Sequence, residues 1–341
     1  MIEIRNHKNI FSLRKKWQAI ETEGNVHVYQ TFFYQSRVYM RLPLYLIPKR
    51  QIPVYFEICE NDETKMIIPL CKTLFQNKYE SLGNFNGLPF YDFVYSGAIS
   101  EEQLICYVRS FLEYLKGSYV YIHKMDERGF TYQALQKNGL CSERTQENYV
   151  NIAFGNSYEE YFNGLSKNAR QNIRKAYNHL KTDLLNMKFK IIYGEKIQQK
   201  LLNESIDIYC DRHLSRYHEK TSKLKRFYLK YFDFSTECLK KHRNNFWASM
   251  LINDKLAAFL AGYYDEINNC IDVRRISMSD KYSRYSPGLL IINETVKELI
   301  DRSHVKNLDL TIGDEDYKLY MGGQVYNSCN FVLKGIQNAG T

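Results

Sequence analysis

The chain has 341 residues, of which 44% are hydrophobic and 25% charged, and its formal net charge is +9 at pH 7. These proportions exclude an extensively disordered chain and supply enough apolar residues for two domains or one large composite domain. The positive charge favours anionic partners such as nucleotide cofactors, phosphorylated substrates, RNA or a membrane surface, although it also suits a simple soluble surface.

The eight cysteines are scattered and contain no C-x-x-C pair, so their spacing predicts neither a zinc site nor a disulfide framework. His213 and His218 are five residues apart in a predicted helix and do not share a face, so we expect no metal. The sequence has no uncharged apolar stretch long enough for a membrane span and no secretory signal. We therefore expect a cytoplasmic protein.

Two β-hairpins are predicted in chain order. Residues 53–72 contain two β-rich runs around an Asn61-Asp62 turn, and residues 245–264 repeat this layout around Asn253-Asp254. A further strand, Cys270–Ser277, follows the second hairpin. The similar layout indicates a duplicated α/β unit.

Helices are predicted between these hairpins. Ser157 and Glu160 form a capping-box pattern, and Ser166 begins a second helix. Residues 197–242 also have a mostly helical pattern. One face of the helix after Ser166 is basic, and it forms either a solvated surface or a wall beside an anionic ligand. Its basic residues are Lys167, Arg170, Arg174 and Lys181.

A strand–loop–helix–strand unit is predicted from Cys270 to residue 312, with parallel strands. Its helix begins at Ser286, which can cap it, and continues with Pro287, which suits a first helical turn. Gly288 then allows a ligand to approach the backbone closely. The free N–H groups and partial positive charge of a helix tip suit a diphosphate, although the same triplet also suits an ordinary helix start.

Charged residues crowd the exit of the second strand of this unit, in "IGDEDYKLYMGG" at 312–323. Ligands of open α/β sheets bind at the carboxyl ends of strands, which is where this cluster lies. We predict Asp314, or Glu315 second, as the base that takes a proton from an amine, and Tyr317 as the acid for a leaving group. Lys318 either orients these carboxylates or contacts the acceptor, and the alternative is a purely structural i, i+4 pair of Asp314 with Lys318.

Three segments together resemble a known family: "LSKNARQNIRK", "YSPGLLIINE" and "LDLTIGDEDYKLYMGG". They are similar to acetyltransferases of the CelD/BcsL type in the GNAT superfamily, which are related in fold to the FemAB aminoacyltransferases. The resemblance covers mainly residues 150–325. It extends more loosely to the N-terminal half, through Trp17, Phe32–Phe33, residues 67–70 and residues 82–87.

The resemblance implies an α/β protein with a tandem GNAT-like fold of two packed halves. Residues 1–150 would form a degenerate half, and residues 151–341 would carry the cofactor site. It implies acetyl-CoA or another acyl-CoA as co-substrate, and an amine acceptor that is a small molecule or linked to a glycan, such as an amino sugar in polysaccharide biosynthesis. Ser286 and Gly288 take the small positions of the superfamily's loop, whereas Ser283 stands where relatives have Gln or Arg.

The predicted site residues divide into three groups. The catalytic residues are Asp314, Glu315, Tyr317 and Lys318. The cofactor-binding residues are Val273, Arg275, Ile276, Lys281, Arg284, Tyr285, Ser286, Pro287, Gly288 and Leu289. The acceptor-binding residues are Arg170, Arg174, Arg212 and His213.

Two other functions remain open at this point. One is an aminoacyl transferase that uses charged tRNA, although the lack of sustained heptads argues against its usual coiled-coil arm. Outside this alternative, we do not expect a nucleic-acid partner. The other is a catalytically silent GNAT-like binding protein.

Overall fold

The computed structural model describes residues 1–24, 26–82, 88–194, 197–216, 223, 227, 243–301 and 305–334, with the side chains of 41–45, 193 and 213–216 outside this description. The chain forms two compact units, Met1–Tyr149 with Tyr326–Thr341, and Val150–Val325. The predicted second half, 151–341, is therefore too long. Its last strand pairs with a strand of the first unit, with Ser328 opposite Asp126 and Leu333 opposite Val120.

The first unit is a mixed sheet with helices. Its helices are α1 (Arg14–Thr22), α2 (Phe32–Lys49), α3 (Glu101–Tyr114) and α4 (Phe130–Lys137). Its strands are β1 (Ile2–His7), β2 (Gln51–Glu60), β3 (Glu63–Thr73), β4 (Lys78–Ser81), β5 (Val94–Tyr95), β6 (Tyr119–Asp126), the first part of β7 (Cys141–Ala153) and most of β13 (Gln324–Leu333). Their order is β1-β2-β3-β4-β6-β13-β7, with β5 on β3.

A compact apolar core holds the first unit together. Helix α3 begins with a full capping box between Ser100 and Gln103 and buries Leu104, Val108 and Phe111 against the sheet. Because these residues recur at three- and four-residue spacing, they lie on one helix face. The strands contribute alternating positions such as Phe56, Ile68 and Val120.

The second unit contains a sheet ordered β12-β11-β10-β9-β8, with the end of β7 beside β12. Strands β8 to β11 pair antiparallel, and β11 pairs parallel with β12 as predicted. The strands are β8 (Met187–Tyr193), β9 (Asn245–Ile252), β10 (Lys255–Asp265), β11 (Cys270–Met278) and β12 (Asn307–Ile312). The helices are α5 (Tyr158–Gly164), α6 (Lys167–Thr182), α7 (Gln199–Arg216), α8 (Pro287–Asp301) and α9 (Asp316–Tyr320).

Alternation along β9 builds a core on each side of the second sheet. Phe246, Ala248 and Met250 pack in the cluster that includes α5, α6 and α8. Trp247 points to the other face, where it stacks on Phe259 with ring centroids 5.0 Å apart in the cluster that includes α7. Because successive side chains of a strand point to opposite faces, β9 contributes residues to the cores on both faces of the sheet. Among the described residues, no helix combines the length and apolar character needed to cross a bilayer.

Both predicted hairpins are confirmed. Asn61 and Asp62 join β2 to β3 with φ of 52° and 64°, and Asn253 and Asp254 join β9 to β10 with φ of 48° and 60°. Two consecutive residues with positive φ match the right-handed twist of the flanking strands, and Asn and Asp tolerate this conformation better than most residues.

Candidate active site

The site begins where β11 and β12 stop pairing. Their parallel register runs from Cys270–Asn307 to Asp272–Asp309. Beyond it, the N–H of Thr311 donates to the Asp309 carboxylate at 2.7 Å, and Thr311 has φ of 55°. The Thr311 hydroxyl donates to the carbonyl oxygen of Val273 at 3.1 Å. Beyond Asp309, hydrogen bonds from side chains thus replace the backbone hydrogen bonds between β11 and β12. The ends of the two strands are no longer paired with each other and can contact a ligand.

A β-bulge in β11 lies beside this point. Ala261 faces Arg275 and Gly262 faces Val273, so Arg274 is the extra residue. A Cβ atom on Gly262 would lie 2.0 Å from the carbonyl oxygen of Asp272, so only glycine allows this approach of the two backbones. Bulges re-aim backbone and side-chain groups, and they are common next to active sites.

The tip of α8 presents the backbone of Gly288. The carbonyl oxygen of Ser286 accepts from the N–H groups of Leu289 and Leu290 at 3.0 and 3.1 Å, and Pro287 has no N–H. The carbonyl of Ser286 thus accepts the first hydrogen bonds of the helix. A capping serine usually has an extended backbone, but Ser286 has a left-handed one, with φ of 47°. In the described part of the chain, this leaves the Gly288 N–H as the donor at the tip that a ligand can use.

A cavity of about 380 Å³ joins the end of β11, the tip of α8 and helix α9. Its wall is mainly apolar, with serine and tyrosine hydroxyls between the apolar groups. Such a mixture suits an elongated organic ligand with a few polar groups. The lining residues are Arg212, Ile276, Ser277, Met278, Ser279, Asp280, Ser283, Ser286, Pro287, Gly288, Leu289, Ile292, Tyr317 and Met321.

Half of the predicted cofactor-binding residues line this cavity. They are Ile276, Ser286, Pro287, Gly288 and Leu289. A Cβ atom on Gly288 would lie 2.8 Å from the sulfur of Met278, so the glycine keeps this wall open. The prediction that a helix tip and the end of a strand share one cavity agrees with this geometry.

The other predicted cofactor residues do not line the cavity. The Val273 side chain is buried in the core, and Arg275 donates to the Tyr209 hydroxyl at 2.8 Å and lies over its ring. Arg284 and Tyr285 both reach Asp183, at 3.5 and 2.7 Å. Their charge and hydroxyl therefore tie the loop to the end of α6, which corrects their predicted role. The remaining residue is Lys281, which is exposed.

Of the predicted catalytic residues, Tyr317 lines the cavity. Asp314 and Glu315 are exposed at the exit of β12 and are not in the cavity wall. Lys318 is only 3% exposed, and its ammonium donates to the carbonyl oxygens of Thr311, Ile312 and Gly313. It pairs with Glu315 at 2.9 Å, which fits the predicted role of orienting a carboxylate, and its burial argues against direct contact with an acceptor. A buried ammonium is stable here because three carbonyls and a carboxylate replace its water.

Of the predicted acceptor residues, too, some line the cavity and others do not. Arg170 donates to the carbonyl oxygen of Leu165 at 3.0 Å, and Arg174 lies over the ring of Phe162 at 5.3 Å. Arg170 therefore binds carbonyl oxygens at the end of α5, and Arg174 packs on an aromatic ring of the same helix. Arg212 lines the cavity, whereas the side chain of His213 lies outside the described residues.

Seven lining residues were not predicted. Ile292 follows Gly288 by one helical turn, so helical spacing alone indicates that the two share a face. For the others, the neighbouring sequence does not indicate a place in the cavity wall, because tertiary packing brings the loop and α9 next to β11. These seven are Ser277, Met278, Ser279, Asp280, Ser283, Ile292 and Met321.

Residues 167–319 match the family model described as an acetyltransferase (GNAT) domain. This segment, somewhat less than half of the chain, is thus similar to GNAT-type acetyltransferase domains. The match includes the splayed strands, the tip of α8 and Tyr317, which is where the cavity lies. The family resemblance expected from the three sequence segments is thereby confirmed.

Solved structures support the fold over nearly the whole chain. FemX aligns over 98% of each chain with 9% identity and a TM-score of 0.59. The C-terminal domain of a putative lysylphosphatidylglycerol synthetase from Agrobacterium fabrum aligns over 96% of this chain and 93% of its own, with 9% identity and a TM-score of 0.54. No curated protein matches the sequence. At such low identity these likenesses concern the fold alone, and they agree with the expected α/β fold, which this chain shares with FemX along nearly its whole length.

Proposed function

We propose that this protein is an acyl-CoA-dependent N-acyltransferase that moves an acyl group, most simply acetyl, from a thioester to an amine. The observation that supports this proposal is the single cavity that extends from the Gly288 backbone to the Tyr317 side chain. A donor anchored at one end of this cavity places its reactive group near an acid at the other end.

The cavity wall suits the donor. Pantetheine alternates methylene groups with amides, and Ile276, Met278 and Leu289 offer apolar contact while Ser277 and Ser279 offer hydroxyls. The diphosphate would lie at the tip of α8, where the Gly288 N–H and the positive end of the helix favour an anion. Lys281, exposed in the preceding loop, would add positive charge at the mouth.

The chemistry is a direct displacement. The amine nitrogen forms a bond to the thioester carbonyl carbon, the carbon–sulfur bond breaks, and the departing thiolate takes a proton from the Tyr317 hydroxyl. The proton lost by the attacking ammonium goes to a carboxylate at the exit of β12, for which Asp314 is the first candidate and Glu315 the second. Positioning the two substrates contributes roughly 7–11 kcal/mol in favourable cases, and a general base contributes about 10²–10⁴-fold.

The acceptor is proposed to be an amine on a sugar, either free or carried by a glycan. This part rests on the resemblance to polysaccharide-related acetyltransferases. Arg212, which lines the cavity, is the residue proposed to contact the acceptor. An acceptor screen with amino sugars and other small amines, read as release of free CoA thiol, tests it.

The deciding experiment combines donor binding with turnover. We expect acetyl-CoA to bind in calorimetry and to raise the melting temperature, since a ligand of the native state stabilises it. Tyr317→Phe should lower kcat about 10²-fold while the Kd for acetyl-CoA changes less than about threefold. Tyr320→Phe is the matched control, because Tyr320 is on the same helix but its hydroxyl accepts from Asn172.

Two results would contradict the proposal. If acetyl-CoA fails to bind while a charged tRNA binds with a steep salt dependence, the donor is an aminoacyl-tRNA. If neither donor binds, the protein is a GNAT-like binding protein without transferase activity. Unchanged turnover in Asp314→Asn would remove Asp314 from the mechanism but leave the donor site intact.

A further inference from the structure

Exposed apolar side chains gather on the first unit where α2 ends. The N–H of Leu74, in the turn between β3 and β4, donates to the carbonyl oxygen of Arg50 at 2.8 Å, so this turn lies beside the end of α2. Ile47, in the last turn of α2, is 73% exposed, and Phe75, in the β3–β4 turn, is 96% exposed. Leu74 is also exposed. We call Ile47, Leu74 and Phe75 the apolar tip.

The backbone of Phe75 is in an unfavourable conformation for a bulky residue. The N–H of Gln76 donates to the carbonyl oxygen of Thr73 at 3.3 Å, which places Phe75 third in this turn, and its φ is 64°. Glycine or asparagine is the usual residue at a third turn position with positive φ. An aromatic side chain that is both strained and almost fully exposed contributes little to the stability of the unit. Strain and exposure do not by themselves identify a contact site, since Leu184 after α6 shares both, so the groups that surround Phe75 decide its role.

Basic residues surround the apolar tip. Lys49 and Arg50 end α2, and Lys72 precedes the turn in β3. Lys78 follows the turn and lies 2.6 Å from Glu80, while its ammonium also lies over the Tyr121 ring. Exposed Tyr119 is next to them, since its N–H donates to the carbonyl oxygen of Asn77 at 2.8 Å.

We propose that this surface docks on a bilayer that contains anionic lipids. Phe75, Ile47 and Leu74 would enter the boundary between headgroups and acyl chains, which removes their apolar surface from water. The basic residues would lie among the anionic headgroups, and Tyr119 would sit at the interface, where aromatic rings with a polar tip are favoured.

The shape and charge of the surface favour a bilayer over another protein. The apolar tip projects as a turn with one aromatic side chain, and a fluid bilayer accepts it without a preformed pocket. Lys49, Arg50 and Lys72 complement anionic headgroups, whereas the charge of Lys78 is paired with Glu80. This inference concerns the first unit and does not depend on which acyl donor the GNAT domain uses.

The experiment is sedimentation of the full chain with vesicles of phosphatidylcholine alone, or with about a third phosphatidylglycerol. We expect binding to the anionic vesicles that weakens as salt is added, since Coulomb attraction is screened. Phe75→Gly should weaken binding at least tenfold, while the melting temperature is unchanged or higher because glycine accepts a positive φ. Lys49→Gln with Lys72→Gln should weaken binding roughly 25-fold, about fivefold for each charge.

Leu184→Gly is the matched control. Leu184 is 91% exposed with φ of 53°, so it matches Phe75 in exposure and backbone conformation, but it follows α6 in the second unit and is not part of the apolar tip. We expect its vesicle binding to equal that of the original protein. The proposal is overturned if anionic vesicles do not sediment the protein at low salt. It is also overturned if Phe75→Gly and Leu184→Gly bind equally, or if Phe75→Gly abolishes a dimer seen by light scattering and leaves vesicle binding unchanged.

Discussion

The ammonium of Lys318 lies 2.9 Å from the carbonyl oxygen of Gly313, at the exit of β12. Gly313 has φ of 92°, so the chain turns sharply there and its carbonyl points back toward the lysine. The same ammonium pairs with Glu315. This buried cation therefore holds the segment that carries Asp314 and Tyr317, and its role is structural positioning.

Replacing this lysine should destabilise the protein. Lys318→Met leaves three strand-exit carbonyls without their charged donor, and we expect the free energy of unfolding to fall by about 2–3 kcal/mol. Urea unfolding measures this change. Lys188→Met is the control, because its pair with Asp254 is exposed and should contribute less than about 1 kcal/mol. Equal effects at both positions would contradict the buried role of Lys318.

The bulge in β11 should depend on glycine at position 262. A Cβ atom there would lie 2.0 Å from the Asp272 carbonyl oxygen, so Gly262→Ala requires a backbone shift. We expect a loss of roughly 3 kcal/mol or more in unfolding free energy, together with loss of donor binding. At Gly164 a Cβ atom meets nothing within 4 Å, so Gly164→Ala should fold with nearly unchanged stability. A tolerated alanine at 262 would show that the bulge has another arrangement.

Adding a methyl group at the tip of α8 should weaken donor binding with little loss of stability. Gly288→Ala places a Cβ atom 2.8 Å from the Met278 sulfur, which can move because the side chain is flexible. Alanine also favours the helix by about 0.5–1 kcal/mol, which offsets the contact. We expect the Kd for CoA to rise about tenfold in calorimetry. An unchanged Kd in a folded variant would place the donor elsewhere.

Removing the carboxylate of Asp280 should strengthen donor binding. Asp280 lines the cavity, and its carboxylate would repel the diphosphate of the proposed donor at the helix tip. For Asp280→Asn we expect CoA to bind about two- to fivefold tighter at low salt, with the gain lost as salt screens the charge. Acetyl-pantetheine, which lacks the phosphates, is the control ligand and should bind both proteins equally. A gain of the same size for both ligands would argue against a phosphate near Asp280.

Acid should destabilise the first unit through Glu57. Burial by itself would raise the pKa of Glu57, but hydrogen bonds from Lys16, Thr64 and His7 outweigh it and lower the pKa to about 2. The folded pKa is thus below the unfolded value, so the stabilisation is present above about pH 5 and is lost as the pH falls toward 2. The lowered pKa of Glu57 corresponds to about 3 kcal/mol of folding stability at neutral pH.

Unfolding free energies between pH 7 and pH 3 test this prediction. Glu57→Gln should be less stable at pH 7 and should show a shallower decline with acid. Glu63→Gln is the control, since Glu63 is exposed beside Lys65, and its decline should match that of the original protein. Parallel curves for Glu57→Gln and the original protein would assign acid sensitivity to other groups.

Much of the local structure could be read from the sequence. The Asn61-Asp62 and Asn253-Asp254 turns and the Ser157 and Ser166 caps form as predicted, and α8 begins at Pro287 without the predicted side-chain cap from Ser286. Each depends on contacts within a few residues, because turn and cap geometry follow from the φ preferences and hydrogen bonds of the residues concerned.

The roles of the charged residues could not be read in this way. Lys281, Arg284 and Tyr285 precede the helix tip in sequence, yet Arg284 and Tyr285 bind Asp183 at the end of α6. Arg170 serves the end of α5, and Arg275 the ring of Tyr209. Long side chains bind partners that are close in space, and the sequence does not show which residues far apart in the chain are close in the fold.

The sequence by itself thus determined the two hairpins, the caps of α5 and α6, the strand–loop–helix–strand unit and the similarity of residues 167–319 to GNAT domains, because these follow from short-range physics and from the three motif segments. Only the tertiary structure decided which residues line the cavity, that Lys318 is buried, and that β13 completes the first unit. Those features depend on packing between segments far apart in the chain, where burial and the competition among nearby partners determine each contact.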